Sequence, residues 1–60
     1  MIKDGVYAAT VVDGLFYRVE GDDIRIRVGC GEWVEPIIET TREIIKMLLD
    51  AGELVMVSDL

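Results

Sequence analysis

Apolar and polar residues change their spacing along this chain, and the changes mark its elements. Val6-Tyr7-Ala8-Ala9-Thr10-Val11-Val12 and Leu15-Phe16-Tyr17-Arg18-Val19-Glu20 are β-rich runs separated by Asp13-Gly14. That dipeptide predicts a hairpin, because a tight type I′ turn needs positive φ at both central positions and Asp and Gly tolerate it. After Gly21-Asp22-Asp23, the run Ile24-Arg25-Ile26-Arg27-Val28 alternates apolar and charged, as a half-buried strand does. Beyond Gly29-Cys30-Gly31 the period becomes helical, with Glu39, Arg42, Glu43, Lys46 and Asp50 on one side at about 100° per residue. The spacing predicts a helix over Pro36–Ala51, with Pro36 where a missing N–H costs nothing and Gly52 at C′. A shorter helix from Thr41 is the alternative, since Thr40 and Glu43 have capping-box spacing. Leu54-Val55-Met56-Val57 predicts a fourth strand.

Pairing across Asp13-Gly14 sets Val12 opposite Leu15, Thr10 opposite Tyr17 and Ala8 opposite Val19. Pairing across Asp22-Asp23 sets Glu20 against Arg25 and Val19 against Ile26, bringing opposite charges together. The core face of the meander then holds Val6, Ala8, Thr10, Val12, Leu15, Tyr17, Val19, Ile24, Ile26 and Val28. The other face holds Tyr7, Ala9, Val11, Phe16, Arg18, Glu20, Arg25 and Arg27. The expected fold is α+β: a small two-layer domain over residues 1–60, an antiparallel β-meander with one helix and a C-terminal strand (β-β-β-α-β). A right-handed crossover is expected to lay the last strand parallel to the first, or beside the third.

On a helical wheel Ile37, Ile38, Thr41, Ile44, Ile45, Met47, Leu48 and Leu49 sweep an arc of roughly 200°, against the ~100° needed to sit on one sheet. The surplus points to a homodimer, because soluble monomers seldom expose contiguous apolar patches and two-fold dimers are the commonest closed assembly. The candidate interface comprises Tyr7, Val11, Phe16, Trp33, Ile38, Ile45, Met47 and Leu49. Trp33 is the largest packing group among them, and Trp is over-represented at interface hot spots.

Composition narrows the partners. Twelve acidic residues against six basic ones leave a charge of −6, which opposes phosphate backbones and anionic lipid and favours a basic protein. Glu32, Glu35, Glu39 and Glu43 form an acidic region at the start of the helix, where the macrodipole welcomes negative charge and a basic partner can dock. No histidine is present and Cys30 is the single cysteine, so an internal disulfide and a multi-cysteine zinc site are excluded. With no base near it, Cys30 reads as a small packing residue. Glu20-Gly21-Asp22-Asp23 lacks the ligand count of a calcium loop, and no metal or cofactor is expected. No uncharged run approaches the ~20 residues that span a bilayer, so the expectation is a soluble, cytoplasmic protein.

These features describe a small acidic homodimer acting stoichiometrically on a macromolecular partner, with no enzymatic machinery. Inhibitors and accessory factors of phages and mobile elements share this size and charge, and an antitoxin-like partner subunit belongs to the same class. The alternative is a nucleic-acid-binding sheet in which Arg18, Arg25 and Arg27 contact phosphates beside Phe16 and Tyr7. Arg42 to Gly52 resembles the second helix of an ankyrin repeat. The likeness spans eleven residues, and strands stand where a repeat would place its first helix.

Overall fold

Few side chains are fully buried in this protein, and those few decide which way each strand faces. The structure is a computed structural model that describes residues 2–60. Its elements are β1 (Gly5–Ala9), β2 (Leu15–Glu20), β3 (Asp23–Val28), α1 (Arg42–Asp50) and β4 (Leu54–Asp59). The strands form one antiparallel sheet in the order β3-β2-β1-β4, with the helix on one face. The fold is therefore the expected small α+β domain with β-β-β-α-β order. Tyr7, Val19, Ile24, Ile45 and Leu54 make the core, and Ile2, Ala9, Tyr17, Leu48 and Leu49 pack around it.

The first hairpin differs from expectation in register. Gly5 pairs with Val19, Tyr7 with Tyr17 and Ala8 with Phe16, three residues away from the pairing that Asp13-Gly14 suggests. An odd shift turns a strand over. Tyr7 therefore faces the helix and Ala8 faces away, reversing the two faces expected for β1. Two features account for it. Burying the Tyr7 ring removes far more apolar surface from water than burying Val6 or Ala8. The chain after Ala9 is also held elsewhere: the Thr10 amide donates to the Glu53 carbonyl at 3.0 Å and its hydroxyl to the Gly52 carbonyl at 2.9 Å. Residues 10–14 become a five-residue loop that leaves Val11 and Val12 exposed.

At the second turn Gly21-Asp22 forms the loop, so Glu20 lies opposite Asp23 and Arg18 opposite Arg25. Like charges thus face each other across the strands, and each arginine is neutralised along its own strand instead, Arg18 by Glu20 at 3.2 Å and Arg25 by Asp23 at 3.1 Å.

The helix is shorter than the Pro36–Ala51 span. Val34 exchanges two backbone hydrogen bonds with Ile26, at 2.8 and 2.9 Å, which holds the chain extended along β3 just before Pro36. Proline also disfavours helical backbone in the residue preceding it. Helix begins only at Arg42, with Thr41 as N-cap accepting from the Ile44 amide at 3.3 Å. The shorter alternative is nearly met, although Thr41 and not Thr40 caps. Ile37 and Ile38 belong to an exposed connection, so the apolar arc of the helix itself narrows to Ile44, Ile45, Met47, Leu48 and Leu49.

Gly52 ends the helix at C′ as expected, with φ of +77°. Its amide donates to the Leu49 carbonyl and that of Glu53 to the Leu48 carbonyl, the two bonds of a Schellman turn. The chain crosses from β3 at one edge of the sheet to β4 at the other through the helix, and after this turn β4 runs back along β1, antiparallel to it, so the crossover is not the parallel one expected. The expected parallel placement of the last strand is corrected accordingly.

Candidate interaction surfaces

Carboxylates from two distant segments meet at the end of the sheet where β2 turns into β3. Asp22, Asp23, Glu35 and Glu39 line one open depression of about 360 Å³, together with Ile24, Pro36, Ile37 and Thr40. The β2–β3 turn supplies the first pair. The connection to the helix supplies the second, because the Val34–Ile26 bridge delivers Glu35 beside β3. Of the four, only Asp23 forms an ion pair among the described residues. Glu32 is exposed outside this depression, and Glu43 lies in the first helical turn, where it borders a separate hollow with Ile2, Arg42 and Lys46. The structure thus unites Glu35 and Glu39 with Asp22 and Asp23, not with Glu32 and Glu43. Among the described residues, no group of acidic, Cys or His side chains has the geometry to hold a metal ion. Exposed carboxylates without a metal geometry can still attract Lys and Arg side chains.

The expected apolar interface residues divide between core and surface. Tyr7 and Ile45 are enclosed by the protein's own core, at 2% and 0% exposure, and leave nothing for a partner to touch. Leu49 is half-buried against that core. Val11, Ile38 and Met47 are exposed. Phe16 and Trp33 are half-buried and flank Arg27, whose guanidinium carbon lies 4.9 Å from one ring centroid and 4.8 Å from the other. Such cation–π contacts fasten the residue 33–34 segment to the outer face of β3. Of the three arginines in the nucleic-acid alternative, two are therefore engaged by carboxylates and the third is held between aromatic rings. Cys30 is exposed on the turn after β3, not packed as its composition suggests.

Arg42 is the structural residue that the sequence pattern conceals. Its guanidinium donates to Asp4 Oδ1 at 2.7 Å, to the Gly21 carbonyl at 2.6 Å and to the Ile2 carbonyl at 2.7 Å. It ties the helix start to the N-terminal segment and to the β2–β3 turn. A cation in the first helical turn opposes the macrodipole, and that misplacement is the signal in the sequence that Arg42 is retained for something else. The Arg42 guanidinium, aided by the Gly21 amide, holds the Asp4 carboxyl below its ordinary value. Burial pushes the Tyr7 phenol above its own, despite the nearby Arg42 and the bond it donates to the Lys3 carbonyl.

β4 is the open edge of the sheet. Val55, Met56 and Val57 are exposed along it, and a shallow depression of about 250 Å³ is lined by Met56, Val57, Ser58 and Asp59. No helix among the described residues is long and apolar enough to cross a membrane. No protein-family model, curated protein or solved structure matches the chain.

Proposed function

We propose that this protein acts stoichiometrically, as a small acidic, self-associating protein that docks on a basic macromolecular partner. One observation carries the reading: the depression in which Asp22, Asp23, Glu35 and Glu39 converge from separate segments with a single internal counter-cation among the described residues. A lysine or arginine entering it would find uncompensated carboxylates beside the apolar Pro36 and Ile37, and the charge of −6 would steer such a partner in. Among the described residues twelve large apolar side chains are exposed and five apolar ones are buried, a balance that favours a chain made to be covered. An inhibitor or accessory factor of the kind phages and mobile elements encode, and an antitoxin-like subunit, both fall within this reading.

The test is capture from the native host with tagged wild-type protein and with the triple variant Asp22→Asn, Glu35→Gln, Glu39→Gln. A basic protein recovered at near-stoichiometric yield by the wild type and lost by the variant supports the proposal. A partner held equally by both, or only small metabolites recovered, overturns it. The nucleic-acid reading predicts salt-sensitive binding to DNA or RNA that disappears when Arg18, Arg25 and Arg27 become Ala. Ion pairing of Arg18 and Arg25 favours the opposite expectation, no measurable affinity even at low salt.

A further inference from the structure

The two edges of the sheet are treated differently. On the β3 edge, Val34 pairs with Ile26, Trp33 covers Arg27, and Arg25 is bound to Asp23, all of which obstruct an incoming strand. Among the described residues, the β4 edge has no such cover. It carries neither Lys nor Pro, its one charge is the terminal Asp59, and Val55, Met56 and Val57 stand 37–53% exposed. The one feature that works against pairing is the register shift opposite Val6 and Tyr7, which bends the strand toward its C-terminal end. The Thr10–Glu53 bond fixes the alternation at the start of β4, so that Glu53 and Val55 bond toward β1 while Leu54 and Met56 direct N–H and C=O outward.

From this asymmetry we infer that β4 pairs antiparallel with β4 of a second copy of this chain, about a two-fold axis, joining two sheets into one of eight strands. The inference rests on the self-association in the proposed function and names the surface that performs it. The second copy is the occupant that fits, for three reasons. Val55, Met56 and Val57, the exposed side chains along the middle of the edge, are apolar and uncharged, so an identical edge complements them without requiring a counter-charge. Each chain has one open edge, so pairing consumes both and closes at a dimer without continuing into a fibre. The size also suits: a standard interface takes at least about 600 Å² from each partner, roughly a seventh of the 4218 Å² surface of this chain. A six-residue edge of roughly 20 Å, with Val55, Met56 and Val57 exposed along it and Leu60 just beyond it, carries more large exposed apolar side chains than any other element among the described residues. The helix, whose exposed apolar side chains are Ile44 and Met47 alone, offers less.

Sedimentation equilibrium of wild type, Val57→Lys and Met47→Lys, each checked for folding by circular dichroism, separates the possibilities. Both positions are exposed, at 53% and 69%, so neither substitution empties the core. The expected result is a wild-type dimer at high micromolar concentration, at least about tenfold weaker association for Val57→Lys, and no change for Met47→Lys. Because Val57→Lys lowers the net negative charge, its effect cannot be assigned to added long-range repulsion between the chains. Amide exchange gives a second reading that needs no variant: diluting the wild type should speed exchange at Leu54 and Met56 and leave Val19 unchanged. A wild-type dimer indifferent to Val57→Lys, or one broken by Met47→Lys alone, overturns the edge pairing while leaving self-association intact. A wild type that is monomeric throughout overturns both.

Discussion

Individual side chains carry unusual weight in a chain that buries only five apolar residues among those described. Ile45 is fully enclosed between the helix and the sheet, and Ile45→Ala should cost about 2–5 kcal/mol. A domain this small commonly has only about 3–5 kcal/mol in total. Urea titration should therefore find the variant largely unfolded at room temperature, and an unchanged midpoint would show that the core lies elsewhere. Arg42→Met should cost about 1–2 kcal/mol through loss of the bonds to the Gly21 and Ile2 carbonyls, which thermal melts would register. Two titrating groups set opposite pH limits. The Asp4 carboxyl lies below its usual 3.8 in the folded chain, so its contribution is present above about pH 4 and is lost as pH falls through the lowered value. The Tyr7 phenol lies above its usual 10.0, so its contribution is present below about pH 10 and is lost as pH rises through the raised value. Melting profiles of Asp4→Asn and Tyr7→Phe should flatten the acid and the alkaline limb respectively; each substitution flattening the other limb would contradict this assignment.

Elements are held by a handful of local devices that can be tested one at a time. Trp33→Ala removes one wall of the Arg27 cage and should cost about 0.5–2 kcal/mol. Its specific mark is faster amide exchange at Ile26 and Val34, with Val19 unaffected; uniform exchange would mean that the rings do not fasten this segment. Gly5→Ala should disturb β1–β4 pairing, because a β-carbon there would come within 2.5 Å of the Ser58 carbonyl oxygen. The number, order and type of elements were legible in the sequence from the alternation in Ile24–Val28, the polar stripe through Lys46 and Asp50, and Gly52. Register was not, because Val6-Tyr7-Ala8-Ala9-Thr10-Val11-Val12 is apolar on both alternations, and burial of the Tyr7 ring together with the tertiary bonds of Thr10 selects between them. The helix start was hidden for a similar reason. The stripe from Glu39 onward continues the helical period, while the bridge between Val34 and Ile26 depends on residues far apart in the chain. Convergence of Glu35 and Glu39 with Asp22 and Asp23 follows from that same bridge and could not be read from spacing.

At the scale of the whole molecule, the surplus of apolar surface lies elsewhere than the helical wheel places it. Ile37 and Ile38 sit in a connection, Ile45 is enclosed, and the remainder is divided among Val11, Val12, Val28, Val34, Ile44, Met47, Leu60 and the open strand β4. In the proposed function, acidic and apolar surfaces would serve two kinds of contact with opposite dependence on ionic strength. A complex with a basic partner through the acidic depression should weaken as salt screens the attraction. Self-association of two chains carrying −6 each should tighten, because the same screening removes repulsion while apolar burial persists. Sedimentation velocity of the wild-type chain over a concentration series, at low and at physiological salt, tests the central claim most directly. A two-fold dimer that is populated at high micromolar concentration and strengthens with salt is the predicted result. A species of 6.7 kDa at every concentration and salt would contradict it.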